Sequence, residues 1–286
     1  MPLRFLHTSD IHLLDLQGTS PWRYLNKRLT GGANLAMGRA RSHDVRLFDE
    51  MVRLVPQLEV DHFVVTGDLT NLSLESEFAF VRAKLETVPV PITVIPGNHD
   101  VYTRGSERHH RFEAYLGHLM DGERVDGETY PFMLRCDDVA LLGVSTAVAT
   151  WPLYATGKVG DAQLGRLAVL LERAEAEGLC RVVLIHHPPV EGVSKARHDL
   201  KDLDAFGEVI AAHGAELILH GHEHVRFEGA LPGPNGHVPV HGIGSGTSLS
   251  NRPGRQASFS VYHASRDGIE RDLYVWNGNG FERYDS

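Results

Sequence analysis

The stretch LRFLHTSDIH at residues 3–12 joins an apolar run of strand length to a polar cluster, and this pattern recurs along the 286-residue chain. The other four such stretches are DHFVVTGDLT (61–70), PITVIPGNHD (91–100), RVVLIHHPPV (181–190) and ELILHGHEHV (216–225). Apolar runs of this length predict buried strands. Between strands, apolar residues recur at helical spacing, as Phe48, Met51 and Val55 do. A strand followed by a helix, repeated, predicts an α/β fold.

Other apolar runs predict hairpins beside these strand–helix units. The runs at 131–136 and 139–145 are separated only by Asp137 and Asp138. Three later runs also follow one another without a helical segment between them, at 238–243, 258–263 and 269–276. We therefore expect a four-layer α-β-β-α sandwich in which both β-sheets are mixed, because parallel strands and hairpins occur in one chain.

Composition and charge argue against several classes of protein. The chain is 42% hydrophobic and no stretch has the composition of a linker, so we expect a single domain over residues 1–286. The formal charge of −9 argues against a general electrostatic grip on nucleic acid, which depends on clustered Lys and Arg. No apolar stretch approaches the roughly 20 residues of a membrane span, and residues 1–9 lack the apolar core of a signal peptide. A cytoplasmic protein without a transmembrane segment is expected.

Five polar clusters follow the five predicted strands, and they are DIH (10–12), GD (67–68), GNHD (97–100), HHP (186–188) and GHEH (221–224). In open α/β sheets, functional groups gather beyond the carboxyl ends of strands, so these clusters are expected to meet in one crevice. A single His after a strand is weak evidence, whereas five clusters together supply a mixed set of oxygen and nitrogen ligands. Such a set suits Mn, Fe or Zn and does not suit a thiolate-bound structural zinc.

In order and spacing, these clusters resemble those of the calcineurin-like metallophosphoesterases, and the resemblance extends over residues 5–224. Three blocks are most similar to those of bacterial class III cyclic-nucleotide phosphodiesterases and glycerophosphodiesterases, namely TGDLT (66–70), GNHD (97–100) and HHPP (186–189). The resemblance implies two divalent metal ions, Mn, Fe or Zn, and a hydroxide held between them that attacks phosphorus.

The resemblance also implies a ligand for each position of the two metal sites. The first metal would be held by Asp10, His12 and His224, the second by Asn98, His186 and His222, and Asp68 would bridge both. His99 would face the substrate as the catalytic residue, either stabilising the oxygens of the transition state or protonating the leaving alkoxide.

One position departs from the pattern of the family. Three residues after the bridging Asp, related enzymes often carry a second Asp that orients the catalytic His, and this chain has Asn71. An amide accepts a hydrogen bond but does not stabilise an imidazolium as a carboxylate does. Either His99 has a lower pKa than in relatives, or Asp100 supplies the charge; Asn71 as an ordinary loop residue is the alternative.

The segment at residues 17–43 is long for a connection between a strand and a helix. It concentrates basic residues in an acidic chain, and two of them, Arg23 and Arg28, are candidate substrate-binding residues. We expect it to form a cap that selects the substrate, since loops of this length are uncommon unless functional. A solvated surface helix with basic residues facing water is the alternative.

The leading hypothesis is a phosphodiesterase of a small-molecule substrate, a cyclic nucleotide or a glycerophosphodiester. The alternatives are a pyrophosphohydrolase of a nucleotide-linked lipid intermediate, with residues 17–43 as a lipid-facing cap, and a phosphomonoesterase. A scaffold that keeps the fold without metals is the non-enzymatic alternative, but it has no reason to retain the full ligand set. The sequence leaves open the substrate, the metals and whether the chain forms a homo-oligomer.

Overall fold

The computed structural model describes residues 1–17, 19, 28–29 and 42–284. Within these residues the strands are β1 Leu3–Thr8, β2 His62–Val65, β3 Ile92–Val94, β4 Glu123–Arg124, β5 Phe132–Cys136, β6 Val139–Gly143, β7 Cys180–Leu184, β8 Leu217–His220, β9 Phe227–Gly233, β10 Gly236–Gly242, β11 Ser258–Ser265, β12 Gly268–Trp276 and β13 Phe281–Arg283. The helices are α1 Val45–Leu54, α2 Glu75–Leu85, α3 Arg104–Arg108, α4 Arg111–Leu116, α5 Asp161–Ala176 and α6 Leu203–His213, with a 3₁₀ turn at Gly117–Leu119. Most of the segment at 17–43, including Arg23, lies outside the described residues.

The strands form two sheets, and both are mixed as expected. The six-stranded sheet has the order β13-β12-β11-β1-β2-β3, in which β1, β2 and β3 run parallel and β11 to β13 are antiparallel. The seven-stranded sheet has the order β4-β5-β6-β7-β8-β10-β9, in which β6, β7, β8 and β10 run parallel. Helices cross between most of the parallel strands, as a parallel connection requires.

Two of the predicted hairpins form, and one strand pairs differently from the prediction. β5 pairs with β6 around Asp137 and Asp138, and β11 pairs with β12. The run at 238–243, within β10, does not pair with β11; it lies in the other sheet, parallel to β8 and antiparallel to β9. The sequence does not predict β9 because this edge strand reads FEGALPG, which has no apolar run and leaves most of its residues partly or fully exposed.

The second sheet divides its side chains between two cores with the period of a β-strand. Leu141 and Val182 face the core between the sheets, whereas their neighbours Leu142 and Val183 face a second core that includes Leu167 of α5. Successive side chains of a strand point to opposite faces, and both faces of this sheet are buried. The apolar runs of β6 and β7 therefore lack the alternation of an exposed strand.

Helices cover the outer face of the first sheet as well. Phe48 of α1 packs edge to face on Phe63 of β2, with ring centroids 6.2 Å apart and an interplanar angle of 71°. Phe78 of α2 stacks on Tyr115 of α4 at 5.6 Å. The order is therefore helices, sheet, sheet, helices, which confirms the predicted fold class. None of the described helices is both long and apolar enough to cross a bilayer.

The core between the sheets should carry more of the stability than the sheet periphery. We expect Leu141→Ala, at a fully buried position, to lower the free energy of unfolding by about 2–5 kcal/mol. Leu134→Ala is the matched control, because Leu134 is the cross-strand partner of Leu141 and only partly buried. Denaturant unfolding of the two variants measures the difference, and equal losses would contradict this account of the core.

Candidate dinuclear metal centre

Parallel pairing between the first two strands continues into the loops that follow them. Beyond β1 and β2, the backbone N–H of Asp10 donates to the carbonyl of Gly67 at 2.9 Å, and that of His12 donates to the carbonyl of Asp68 at 3.0 Å. The sequence pattern placed these side chains at strand ends. The continued pairing brings Asp10, His12 and Asp68 to one point at the carboxyl edge of the sheet.

Many of the candidate ligands have a backbone conformation that side chains other than glycine rarely adopt. Five of the seven have positive φ, namely Asp10 (51°), His12 (42°), Asp68 (53°), His222 (76°) and His224 (50°). Each such residue costs of the order of 1–3 kcal/mol, and residues of this kind cluster at functional sites. The local backbone is therefore strained where the predicted ligands lie.

One group of candidate ligands surrounds the first predicted metal position. Single ligand atoms of Asp10, His12, Asp68 and His224 all lie within 4.8 Å of one another. His12 Nε2 is 3.1 Å from His224 Nε2 and 3.8 Å from Asp68 Oδ2, and His224 Nε2 is 3.2 Å from Asp10 Oδ1. Nitrogen and carboxylate oxygen atoms thus converge on one point.

A second group shares Asp68 with the first. Ligand atoms of Asp68, His186 and His222 lie within 4.8 Å of one another. His186 Nε2 is 3.5 Å from Asp68 Oδ1 and 3.3 Å from Asn98 Oδ1. Because Oδ1 of Asp68 faces this group and Oδ2 faces His12, the single carboxylate lies between the two sets of ligands.

Backbone carbonyls hold three of the histidines in position. These hydrogen bonds run from His12 Nδ1 to Thr70 (3.1 Å), from His186 Nδ1 to Thr66 (2.7 Å) and from His222 Nε2 to His198 (2.9 Å). A carbonyl only accepts, so each of these ring nitrogens carries the proton and the other nitrogen is the one suited to a metal. Histidines that bind metals are commonly oriented in this way.

Two buried polar atoms of the site lack hydrogen bonds to any described residue: Asp10 Oδ1 and His222 Nδ1. Leaving a buried polar atom unpaired costs about 1–3 kcal/mol, and a cation at each of the two metal positions would satisfy the atom that belongs to it. Burial, together with the charge of His186, lowers the pKa of His222 to about 3, so its imidazole is neutral as a metal ligand must be. These residues therefore fit a pair of divalent metal ions.

Asp100 holds the loops that carry the ligands. Its buried carboxylate accepts backbone N–H bonds from Leu69 and Thr70 at 2.9–3.2 Å and from Gly97 at 2.9 Å. Burial and the nearby charge of Asp68 raise the pKa of Asp100 to about 7. Because most of these contacts go to the backbone, Asp100 positions the Asp68 and Asn98 loops.

His99 lies beside both groups of ligands. Its Nδ1 donates to the backbone carbonyl of Asn71 at 2.6 Å, and its ring stacks on Tyr102 with centroids 5.3 Å apart. The Asn71 side chain has a different partner, because its amide donates to the carbonyl of His12 at 2.9 Å. Of the alternatives that the sequence left open for Asn71, these contacts favour the one in which its side chain does not orient His99, and the main-chain carbonyl of Asn71 has that role.

The loop at 71–74, which supplies this carbonyl, is fastened from two sides. Buried Glu77 accepts backbone N–H bonds from Asn71, Leu72 and Leu74. Arg28, 3% exposed, donates to the carbonyls of Leu72 (2.7 Å) and Ser73 (2.8 Å). The structure contradicts a substrate-facing role for Arg28, because its buried guanidinium fastens the loop that orients His99.

His43 is a residue of the site that the sequence analysis did not single out. A ring nitrogen of His43 lies within 4.8 Å of ring nitrogens of His12 and His224, and its ring centroid is 4.8 Å from that of His12. It belongs to no recurring motif and lies two residues before α1. The sequence therefore holds no spacing signal that identifies it.

The proton position on His43 follows from its neighbours. The hydroxyl of Thr247 donates to the carbonyl of Ile11 at 2.8 Å, and that of Ser245 donates to the carbonyl of Asp10 at 2.7 Å. His43 Nδ1 lies 3.0 Å from Thr247 Oγ1 and 3.2 Å from Ser245 Oγ, so it donates to these oxygens. Its proton is thus on Nδ1, as in His12 and His186.

The absence of a side chain at Gly221 should be needed for metal binding. A Cβ there would collide with Ser9 Oγ and Asp10 Oδ2, whereas a Cβ at Gly207 in α6 would meet nothing within 4 Å. We expect Gly221→Ala to weaken binding of Mn²⁺ or Zn²⁺ by roughly 10–100-fold, the usual effect of disturbing a ligand's surroundings. Gly207→Ala is the matched control. It should raise the free energy of unfolding by about 0.5–1 kcal/mol and leave metal affinity unchanged. Calorimetric metal titration checks both, and unchanged affinity in Gly221→Ala would exclude Asp10 as a ligand.

Comparisons with known proteins agree with this arrangement. The family model described as calcineurin-like phosphoesterase matches residues 3–226. Similar solved structures include a dimetal phosphatase from Danio rerio, with 15% identity and a TM-score of 0.65 over 99% of this chain and 97% of that one. A purple acid phosphatase from yellow lupin (Lupinus luteus) seeds has 14% identity and a TM-score of 0.62, covering 100% of this chain and 53% of that one. The protein TT1561 of Thermus thermophilus has 12% identity and a TM-score of 0.51, covering 95% and 98%.

At these identities the solved structures show the fold alone, and no curated protein sequence matches the chain. The family model covers well over half of the chain, and its match spans all five polar clusters. The chain therefore belongs to the calcineurin-like phosphoesterases, a family of metal-dependent phosphoric ester hydrolases with a dinuclear divalent metal centre.

Proposed function

We propose that the protein is a phosphodiesterase that hydrolyses a small diester of the cyclic-nucleotide or glycerophosphodiester class. The observation that carries the proposal is the position of Asp68, whose two carboxylate oxygens face two separate sets of ligands beside His99. The first metal ion would be held by Asp10, His12 and His224, the second by Asn98, His186 and His222, and both by Asp68.

The donor set decides which ions are suitable. Imidazole nitrogens with carboxylate and amide oxygens favour Mn, Fe or Zn over Ca, which prefers oxygen alone. When bound, two such cations supply a water of lowered pKa as the nucleophile and offset the charge that develops on the phosphoryl oxygens. The protein's own contribution is to hold the ligands rigidly, through the carbonyls of Thr66 and Thr70 and the carboxylate of Asp100.

His99 is proposed as the catalytic acid for the leaving group. The Asn71 carbonyl holds the Nδ1 proton whether the ring is neutral or charged, so a proton gained or lost by His99 is exchanged at Nε2. Stacking on Tyr102 at an interplanar angle of 17° restricts rotation of the ring. A ribose or glycerol alkoxide is a poor leaving group until it is protonated. His99 donates that proton from Nε2.

The proposal of a diester is supported by the blocks TGDLT, GNHD and HHPP, which resemble those of bacterial phosphodiesterases. A phosphomonoesterase is the alternative to which the names of the Danio rerio and lupin proteins point. A panel of monoesters, diesters and pyrophosphates, assayed with the protein loaded with Mn²⁺, Fe²⁺ or Zn²⁺ in turn, tests the proposal. Hydrolysis of monoesters without diesters would overturn it.

An exposed apolar loop favours a second candidate function, hydrolysis of a pyrophosphate in a lipid-linked intermediate. Trp151, Leu153 and Tyr154 are exposed by 72%, 69% and 45% on the loop between β6 and α5. The same loop contacts His187, the neighbour of His186, through the carbonyl of Ala155 at 3.1 Å from Nε2. Apolar side chains this close to the second group of ligands suit an acyl chain, and turnover of a lipid-linked pyrophosphate alone would favour this candidate.

Replacing the shared carboxylate should remove the activity. In Asp68→Ala both groups lose a ligand, and the two cations lose the negative charge between them, so we expect less than about 1% of the activity and loss of at least one tightly bound metal ion per chain. Asp49→Ala, at an exposed carboxylate paired with Lys84, is the control and should keep both. Metal analysis with an activity assay measures the outcome. Two tightly bound ions and normal turnover in Asp68→Ala would exclude the bridging role.

Replacement of His99 should affect esters according to their leaving group. We expect His99→Ala to lower kcat on an alkyl diester by roughly 10²–10⁴-fold while both metal ions remain bound. A nitrophenyl diester, whose leaving group needs no proton, should lose far less. His109→Ala, at an exposed histidine, is the control. Equal losses on the two esters would favour electrostatic stabilisation by His99 over proton donation.

A further inference from the structure

A cleft of about 480 Å³ opens beside the first group of ligands. This arginine cleft is lined by His43, His224, Ser248, Ser250, Arg252 and Arg255, among others. Its volume lies in the range of small-molecule sites, roughly 300–1,000 Å³. His224 is shared with the metal centre, since its Nε2 is 3.2 Å from Asp10 Oδ1. A molecule whose phosphate lies at the metal centre can therefore extend directly into the cleft.

The loop that carries Arg252 and Arg255 is held in shape by hydrogen bonds of its own serine hydroxyls. Ser248 Oγ donates to the carbonyl of Arg255 at 2.9 Å and accepts the N–H of Ser250 at 3.1 Å. Ser250 Oγ accepts the N–H of Arg252 at 3.2 Å. Leu249 N–H donates to the carbonyl of Ser42 at 2.9 Å, which fastens the loop to the opposite wall. Both guanidinium groups thus project from a braced turn.

The charges around the cleft are of one sign. No carboxylate side chain lines it among the described residues. Arg255 donates one N–H to the backbone carbonyl of Glu223 at 3.1 Å, and neither Arg252 nor Arg255 forms an ion pair with a described carboxylate. In a chain with a formal charge of −9, two guanidinium groups without a described carboxylate partner therefore lie beside the first group of ligands.

We propose that the arginine cleft binds a second phosphate group of the substrate. The inference rests on the proposed phosphodiesterase function and narrows it, because the substrate is then a diester with one arm that carries a further phosphate. Arginine is suited to this role, since its planar fork binds phosphate oxygens in pairs. Cyclic nucleotides with a single phosphate do not use the cleft, and glycerophosphodiesters with a phosphorylated alcohol do.

Two matched substrates test the inference. One is the p-nitrophenyl diester of glycerol phosphate, and the other carries an additional phosphate on the far glycerol carbon. With the metal-loaded protein, we expect kcat/KM for nitrophenol release to be roughly 10–100-fold higher for the second, at about tenfold per arginine contact. The advantage should shrink as salt is raised, because the arginines are exposed and screened by ions.

Variants of the two arginines test whether the higher kcat/KM of the second substrate depends on the arginine cleft. Arg252→Ala should lower the ratio of the two kcat/KM values by roughly tenfold, and the double variant with Arg255→Ala should lower it further. Arg252→Ala should fold normally, because no described residue receives a hydrogen bond from the Arg252 side chain. The matched control is Arg53→Ala with Arg82→Ala, two exposed arginines on α1 and α2, which removes the same charge and should leave the ratio unchanged. Equal kcat/KM for both substrates in the wild type, or a ratio unchanged in the variants, would overturn the inference.

Binding measurements with substrate analogues test the arginine cleft independently of the proposed phosphodiesterase activity. Phosphinate analogues of the two diesters, with methylene groups in place of both bridging ester oxygens, and in the second analogue a methylenephosphonate in place of the additional phosphate, report affinity by calorimetry without turnover. Release of inorganic phosphate with no nitrophenol would refute the phosphodiesterase. Tighter binding of the analogue that carries the additional group, lost in Arg252→Ala, would still support the cleft. Equal affinity of both analogues would refute the cleft alone.

Discussion

The arrangement of the site depends on one carboxylate, that of Asp68. Its side chain is 2% exposed, and its two oxygens lie 3.5 Å from His186 Nε2 and 3.8 Å from His12 Nε2. The two histidines follow strands of different sheets, so a buried anion at the point where the sheets' edges meet connects the two halves of the fold. Gly97 makes this approach feasible, because a Cβ there would collide with Asp68.

Placing so many polar groups together is unfavourable for folding, and the rest of the molecule must offset it. Buried carboxylates and imidazoles lose solvation, and residues such as Asp10 and His222 have strained backbones. The cores on both faces of the second sheet supply the compensating burial, and loops braced by Glu77, Asp100 and Arg28 limit relaxation of the site. A bound cation relieves part of the cost, so stability and metal binding are linked.

The sequence predicted the strands whose apolar runs are buried and the polar clusters that follow them, because both signals are local. It did not predict β9, an edge strand with no apolar run, and it paired β10 wrongly because pairing partners are set by sheet topology. The sequence also could not predict where the side chains of Asn71 and Arg28 point. The amide of Asn71 binds His12 and Arg28 binds carbonyls, although residue type alone suggested His99 and substrate as their partners. His43 is brought to the site by tertiary packing and has no motif.

Charge balance at the centre explains why arginines are placed beside the metals and not among them. Of the seven proposed ligands only Asp10 and Asp68 carry negative charge, since a metal-bound histidine is neutral. Two divalent cations would therefore leave a net charge of about +2, enough to hold the scissile phosphate without a basic side chain. An arginine inside the centre would compete with the cations for the same ligands. Outside it, Arg252 and Arg255 are available to a second charge on the same substrate, and the acidic surface of the chain does not neutralise them.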